Sequence, residues 1–318
     1  MQASVRVTPA NAGTGATPPT AQAPVTIIDP PRLDVKTRGW TWWVGAAISL
    51  AVLFVSLIEL RKVDFSEVWE LVPASPLFWL VFLTGYFVPA ATDWMIYRRL
   101  WQIPLDGFVA LVRKMIGNEL LLGYVGEVYF YTWARKRTEM VSTPFGAIKD
   151  VAILSALVGN AVTLVMVVLA APLLASMAFG IEAKTLLGSV AVVLVSSSLL
   201  LLFRKALFGL PRADLLHASG WHLVRIVATM AAAAMCWHLV LPQVALHWWL
   251  MLAACRLLLS RLPLMPNKDI VFAGLAVFMI GHDAEIGALM TMMATLTLAT
   301  HLGLGLGLSV LEAAGWKR

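Results

Sequence analysis

An all-α fold that crosses a membrane several times is what this sequence predicts, and three observations carry that prediction. The first is composition: of 318 residues, 60% are hydrophobic and only 13% charged, with a mean hydropathy of +0.81. So few polar side chains cannot coat a water-soluble globule of this length. The second is run length, because apolar stretches of about 18–22 residues are long enough to cross a hydrocarbon layer of about 30 Å as helices. The third is the missing ten-residue alternation of an outer-membrane barrel. About seven to eight transmembrane helices are expected, with two further re-entrant or broken helices that suit a pair of inverted repeats.

Residues 1–38, with Pro18, Pro19, Pro24, Pro30 and Pro31 and no apolar periodicity, read as a disordered tail. Residues 39–318 read as a single transmembrane domain. The first apolar run, Trp40 to about Leu60, lacks a short core with a small-residue cleavage site, so an uncleaved span is expected rather than a signal peptide. Trp40, Trp42 and Trp43 fit its interfacial belt, and Arg32, Lys36 and Arg38 mark the preceding side as cytoplasmic. Arg61 to Ser75 is amphipathic and fits the membrane surface.

Further spans are expected at Leu77–Tyr97, Ala147–Leu174, Leu186–Phe203, Trp221–Leu241, Val244–Leu262 and Ile286–Leu311. Two pieces do not fit as ordinary crossings. Met115–Trp133 has Arg98, Arg99, Arg113 and Lys114 before it and Arg135, Lys136 and Arg137 after it, so both flanks carry the inside mark. A piece that enters and leaves on one side satisfies that rule, and Gly117, Gly123 and Gly126 offer the turn. Ile270–Gly281 is apolar for only about twelve residues, below the roughly 17 that a span needs, and follows Pro263 and Pro266. With both pieces re-entrant, the basic loops alternate correctly and place the N-terminus in the cytoplasm.

The formal charge of +6 sits in short loops between spans, where it orients the chain, so no nucleic-acid partner is expected. Two cysteines, Cys236 and Cys255, fall in predicted helices and make no C-x-x-C site. The six histidines show no H-x-x-x-H or H-E-x-x-H spacing, so no metal is expected, and His238 and His301 read as structural. No nucleotide loop or nucleophile elbow occurs, and no cofactor is expected. Gly303 and Gly307 form a G-x-x-x-G pair, which reads as close helix packing.

The candidate site residues are ionisable or polar groups in apolar sequence, where a charge costs about 2.5–3.5 kcal/mol at the bilayer centre and persists when it faces a bundle interior or watery cavity. The foremost group runs from Asn118 and Glu119 through Tyr124, Gly126 and Glu127 to Arg135, and three of the five tyrosines fall between 124 and 131. A glycine-broken helix exposes N–H groups that can hold a phosphate, and Glu127 can take a cation or proton. The bland alternative pairs Glu127 with Arg135 or Lys149 and leaves the tyrosines as an interfacial belt. Lys149 and Asp150 open the next span; pointing about 100° apart on a helix, they are expected to take different partners, in binding or at the helix start. Arg256, Arg261, Asn267 and Lys268 concentrate donors beside the Pro263 and Pro266 break, where guanidinium groups suit phosphate and where the bland reading is a positive-inside loop.

These residues carry a resemblance. Gly117-Asn118 through Gly126-Glu127, the block Arg135 to Arg137, and the run Leu262-Pro263-Leu264-Met265-Pro266-Asn267 look like the lysylphosphatidylglycerol synthase transmembrane-region family, over about residues 40–311. That family includes the flippase half of the bacterial multiple peptide resistance factor. Its Asn and Gly-Glu motif maps to Asn118, Gly126 and Glu127. Its second motif, Pro-Gly-Gly with a later Glu, is replaced by Pro266, Asn267 and Lys268, with Ala273 near the Glu position. The soluble aminoacyl-transfer domain has no counterpart, so no lysyl-lipid synthesis is implied. The resemblance implies a non-enzymatic protein of the bacterial inner membrane that binds a phospholipid or glycolipid and translocates it between leaflets. Expected partners are membrane lipids, with a second copy or another membrane protein as further partner. A non-transporting scaffold or accessory subunit is the alternative, followed by an integral-membrane transferase acting on a lipid-linked donor.

Overall fold

A computed structural model describes residues 72–120, 125–136, 144–176, 183–203, 207–261 and 283–313, together with five helical positions and Gly281 between the last two blocks. The expected tail, first span and amphipathic segment up to residue 71 lie outside the described residues, as do Tyr124, Asn267 and Lys268.

The described chain is all-α. Its helices are α1 Pro76–Trp101, α2 Leu105–Leu120, α3 Val125–Lys136, α4 Pro144–Ser176, α5 Ala183–Leu202, α6 Arg212–Val240, α7 Leu246–Arg261 and α8 Asp283–Ala313. Four segments are long and apolar enough to cross a membrane: Pro76–Trp101, Phe145–Val168, Arg212–Val240 and Glu285–Leu311. The protein is therefore an all-α polytopic membrane protein. Helix α7 has 16 residues, about 24 Å at 1.5 Å per residue, and falls short of the hydrocarbon thickness unaided.

Local sequence sets the helix ends. Pro76 occupies the first turn of α1, where its missing N–H costs no intrahelical bond. The helix continues through Pro89 and stops at Gln102, whose left-handed φ of 52° lets its N–H bond the Arg98 carbonyl at 2.8 Å. Arg98 and Arg99 sit in the last turn, where cations complement the helix dipole. Gly281, at φ +81°, stands just before α8, so the apolar positions Phe272 to Ile280 do not run straight into that helix.

Helix α6 is central and packs against α1, α4 and α7. Small residues permit the closest of these approaches: a Cβ added at Gly85 of α1 would stand 2.6 Å from the Cβ of Ala232 in α6. The Trp237 and Trp249 rings meet at 5.9 Å with their planes tilted by 59°, in one apolar core with Phe78, Leu252 and Leu289. Tyr97, Trp101 and Phe130 fill a second core with Leu111 and Ile116.

The Met115–Trp133 piece is divided as expected between two helices. α2 and α3 pack on each other as an antiparallel hairpin: Gly117 lies against Gly126 near the tip, and Gly107 lies against Trp133 at the open end. The chain thus reverses direction within this piece. No described residue packs on the G-x-x-x-G pair of α8. A side chain at Gly303 or Gly307 would meet nothing within 4 Å among the described residues, whereas Gly305, on another face, approaches Ile116.

Candidate functional site

Two polar constellations lie inside the bundle. The first is an ion network that joins α1, α2, α3, α4 and α6. Lys114 of α2 donates to Asp93 Oδ2 of α1 at 2.7 Å and stands 3.4 Å from Glu127 Oε1 of α3. Arg225 of α6 reaches Asp93 Oδ1 at 3.3 Å and donates to the Ser155 hydroxyl of α4 at 2.5 Å. Two carboxylates thus face two cations. Buried ions are tolerated on these terms, since an unpaired buried charge costs several kcal/mol.

Asn118 ties the hairpin into this network. Its Oδ1 accepts the Gly126 N–H at 2.8 Å, and its Nδ2 donates to Glu127 Oε1 at 3.1 Å. Gly126 lies in the first turn of α3, where backbone N–H groups have no intrahelical acceptor. Asn118 therefore caps α3 from the neighbouring helix, and the Gly126 N–H expected to hold a phosphate is already bonded. The cation beside Glu127 is Lys114, in place of the Arg135 or Lys149 that the bland reading names. Glu127 Oε2 is buried without a hydrogen-bond partner.

Lys149 and Asp150 clamp the segment entering α6. The Lys149 ammonium donates to the Leu207 carbonyl, and Asp150 Oδ2 accepts the N–H groups of Gly209 and Leu210 at 2.7 and 2.9 Å. They take different partners, as their helical spacing predicts. They also approach each other, with Nζ 3.3 Å from Asp150 Oδ1, a charge contact without hydrogen-bond alignment. Arg135 is buried at the end of α3, with its guanidinium 5.5 Å from the Tyr131 ring centre. Arg261 lies directly on the backbone of Gly159, where any Cβ would overlap its guanidinium.

The second constellation lines a cavity of about 330 Å³ among α2, α6, α7 and α8. Glu119, Arg256, Thr297 and His301 reach it, with Trp237 and Met293 among its apolar walls. Arg256 stands 5.5 Å over the Phe272 ring. Neither Glu119 nor Arg256 has an ion pair or hydrogen bond among the described residues, so a carboxylate and a guanidinium face one cavity without meeting within 4 Å. His301 Nδ1 lies 2.6 Å from the Tyr86 hydroxyl. The donor in this bond is set by the imidazole tautomer: where Nδ1 accepts the Tyr86 proton, Nε2 carries the ring proton.

The structure therefore distributes the expected site residues over separate places. Glu119 and Arg256 share the cavity, Asn118, Gly126 and Glu127 belong to the ion network, and Lys149 and Asp150 hold a loop. Asp93, Arg225, Tyr86 and His301 were not among the expected site residues. Asp93 and Arg225 are ionisable groups within apolar runs, the signal that singled out Glu127. His301 gives no such signal, since a lone histidine in an apolar helix ordinarily satisfies itself by a local bond.

Among the described residues no group of His, Cys, Asp or Glu could hold a metal ion. Fold and site together define a polytopic α-helical membrane protein with an open, charged cavity between its helices. Comparison of the chain with protein-family models, with curated proteins and with solved structures finds no match in any of the three.

Proposed function

We propose that this protein binds the polar headgroup of a phospholipid or glycolipid within the bundle and translocates the lipid between leaflets, without chemistry on it. One observation carries the reading: the cavity of about 330 Å³ that Glu119, Arg256 and His301 line between membrane helices. Tyr86, bonded to His301, lies about 15 Å along α1 from Pro76 at 1.5 Å per residue. That is deep for a crossing of about 30 Å. Charged side chains at such depth mark substrate pathways more often than they stabilise folds. The resemblance to the lysylphosphatidylglycerol synthase transmembrane-region family points the same way, and a bacterial inner-membrane location with a cytoplasmic N-terminus is part of the same proposal.

The test is direct. Purified protein is placed in vesicles carrying a trace of fluorescent phospholipid, and the fraction reached by an external quencher is followed. Faster exchange of phospholipid or glycolipid than in protein-free vesicles supports the reading; movement of none of a panel of anionic, zwitterionic and glycosylated lipids rejects it. A scaffold role is the second reading, and the ion network favours it. Asp93, Lys114 and Arg225 pair with one another, and Asn118 bonds Gly126 and Glu127, without a ligand, as a structural core would.

A further inference from the structure

We propose that the cavity recognises a net-neutral headgroup carrying one ammonium and one phosphate, with Glu119 receiving the ammonium and Arg256 the phosphate. This rests on the headgroup-binding reading above and narrows it to a zwitterionic class.

The charge balance of the cavity leads there. Glu119 and Arg256 both line it, and neither has an ionic or hydrogen-bonded partner among the described residues. Both side chains are exposed to its open space, and neither is engaged as the buried Asp93 and Lys114 engage each other, so both charges are free to meet a ligand. A purely anionic headgroup would pair Arg256 but meet the Glu119 carboxylate. A dicationic headgroup would leave one ammonium facing Arg256, and a neutral glycosyl group would leave both charges unmatched. A headgroup with one charge of each sign offsets both at once, and guanidinium binds phosphate oxygens in a two-pronged geometry that suits one end of it.

The uncharged groups fit the same ligand. His301 is bonded to the Tyr86 hydroxyl through Nδ1, and in the tautomer in which Nδ1 accepts, its Nε2–H is left to donate to a phosphate oxygen. The Thr297 hydroxyl donates its proton to the Met293 carbonyl at 2.8 Å, which leaves its oxygen to accept from an ammonium. Donors and an acceptor are thus present for both ends of the headgroup. The Phe272 ring beneath the Arg256 guanidinium limits where that group can swing.

The experiment measures binding separately from transport. Thermal unfolding of the full chain in detergent is followed with short-chain phosphatidylethanolamine, phosphatidylglycerol, a dicationic lysyl-ester phospholipid, or soluble glycerophosphoethanolamine, because a ligand of the native state raises the midpoint according to its affinity. Phosphatidylethanolamine is expected to act at concentrations about tenfold lower than phosphatidylglycerol or the dicationic lipid, the factor for one charge-assisted bond. Glu119→Gln should abolish that preference, and Arg256→Gln should weaken all phosphate-bearing ligands. Both side chains face the cavity, so the variants should fold, as their midpoints without ligand would show. Equal stabilisation by all lipids in the wild type, or a preference that survives Glu119→Gln, overturns the proposal. An equal response to soluble glycerophosphoethanolamine keeps the recognition but overturns a membrane lipid as its source. Preferential binding without any lipid movement in vesicles upholds this inference while rejecting translocation.

Discussion

The Lys114 ammonium lies 2.7 Å from Asp93 Oδ2, with both residues buried, and so fastens the α2–α3 hairpin to α1. Removing one partner strands the other charge in an apolar surrounding. Asp93 is also the carboxylate of Arg225, so Asp93→Asn leaves that guanidinium without its ion pair as well. The expected loss is about 3–5 kcal/mol, the range for breaking a buried pair. Thermal or denaturant unfolding in detergent measures it. A cycle with Lys114→Met should show strong non-additivity, since the two share one contact. Additive losses would show that the pair contributes no coupling.

Helices α2 and α3 form a hairpin, which predicts that their outer ends meet the same aqueous phase. Leu105 and Lys136 are exposed positions at those ends, suited to single cysteines. Cys236 and Cys255 are both buried, so background labelling should be low. In sealed vesicles an impermeant thiol reagent should label introduced cysteines at 105 and 136 from one side only, and from the same side. Labelling from opposite sides would mean that the piece crosses the bilayer.

How much of this was legible in the sequence differs by scale. Helix extents were, because apolar run length is fixed by membrane thickness: Ile286–Leu311 was expected and α8 covers it, and Leu77–Tyr97 lies within α1. The hairpin was legible from basic residues on both flanks of one apolar piece. Partner choice was not. Whether Glu127 meets Lys114 or Arg135 depends on how α3 slides along α2, which the approach of Gly126 to the Lys114 carbonyl sets. The cavity was invisible for the same reason. Glu119 and Arg256 are far apart in the chain, and only the packing of α2 and α7 with α6 and α8 makes them neighbours of one space. Arg225 lies inside the expected span Trp221–Leu241 and carries the same signal as Glu127, although it is not among the expected site residues.

Asp150 predicts a different kind of loss. Its carboxylate is fully buried and accepts two backbone N–H groups of the segment before α6. Asp150→Ala leaves the donors of Gly209 and Leu210 without an acceptor and the Lys149 ammonium without its nearest carboxylate. A buried donor left unsatisfied costs about 1–3 kcal/mol, so a drop of at least that size is expected. Because the clamp is remote in role from the cavity, the surviving folded fraction should bind lipid as the wild type does. A selective loss of lipid binding with unchanged unfolding would instead make Asp150 a ligand contact.

Glu127 and Asp93 share Lys114, yet their contacts are unequal, and that inequality predicts the order of their variants. Lys114 is 2.7 Å from Asp93 but 3.4 Å from Glu127, and Asp93 alone also holds Arg225. Glu127→Gln keeps an oxygen for the Asn118 amide and leaves Lys114 with its closer partner. Its cost should be about 1.5–3 kcal/mol, the range for a hydrogen bond to a charged group, and smaller than that of Asp93→Asn. Since Glu127 lies in the network and Glu119 on the cavity, folded Glu127→Gln should move lipid at the wild-type rate per molecule while folded Glu119→Gln should not. Unfolding midpoints and vesicle exchange, measured on the same preparations, separate the two effects. A Glu127→Gln protein that is as stable as the wild type but inactive would transfer the ligand role from the cavity to the hairpin.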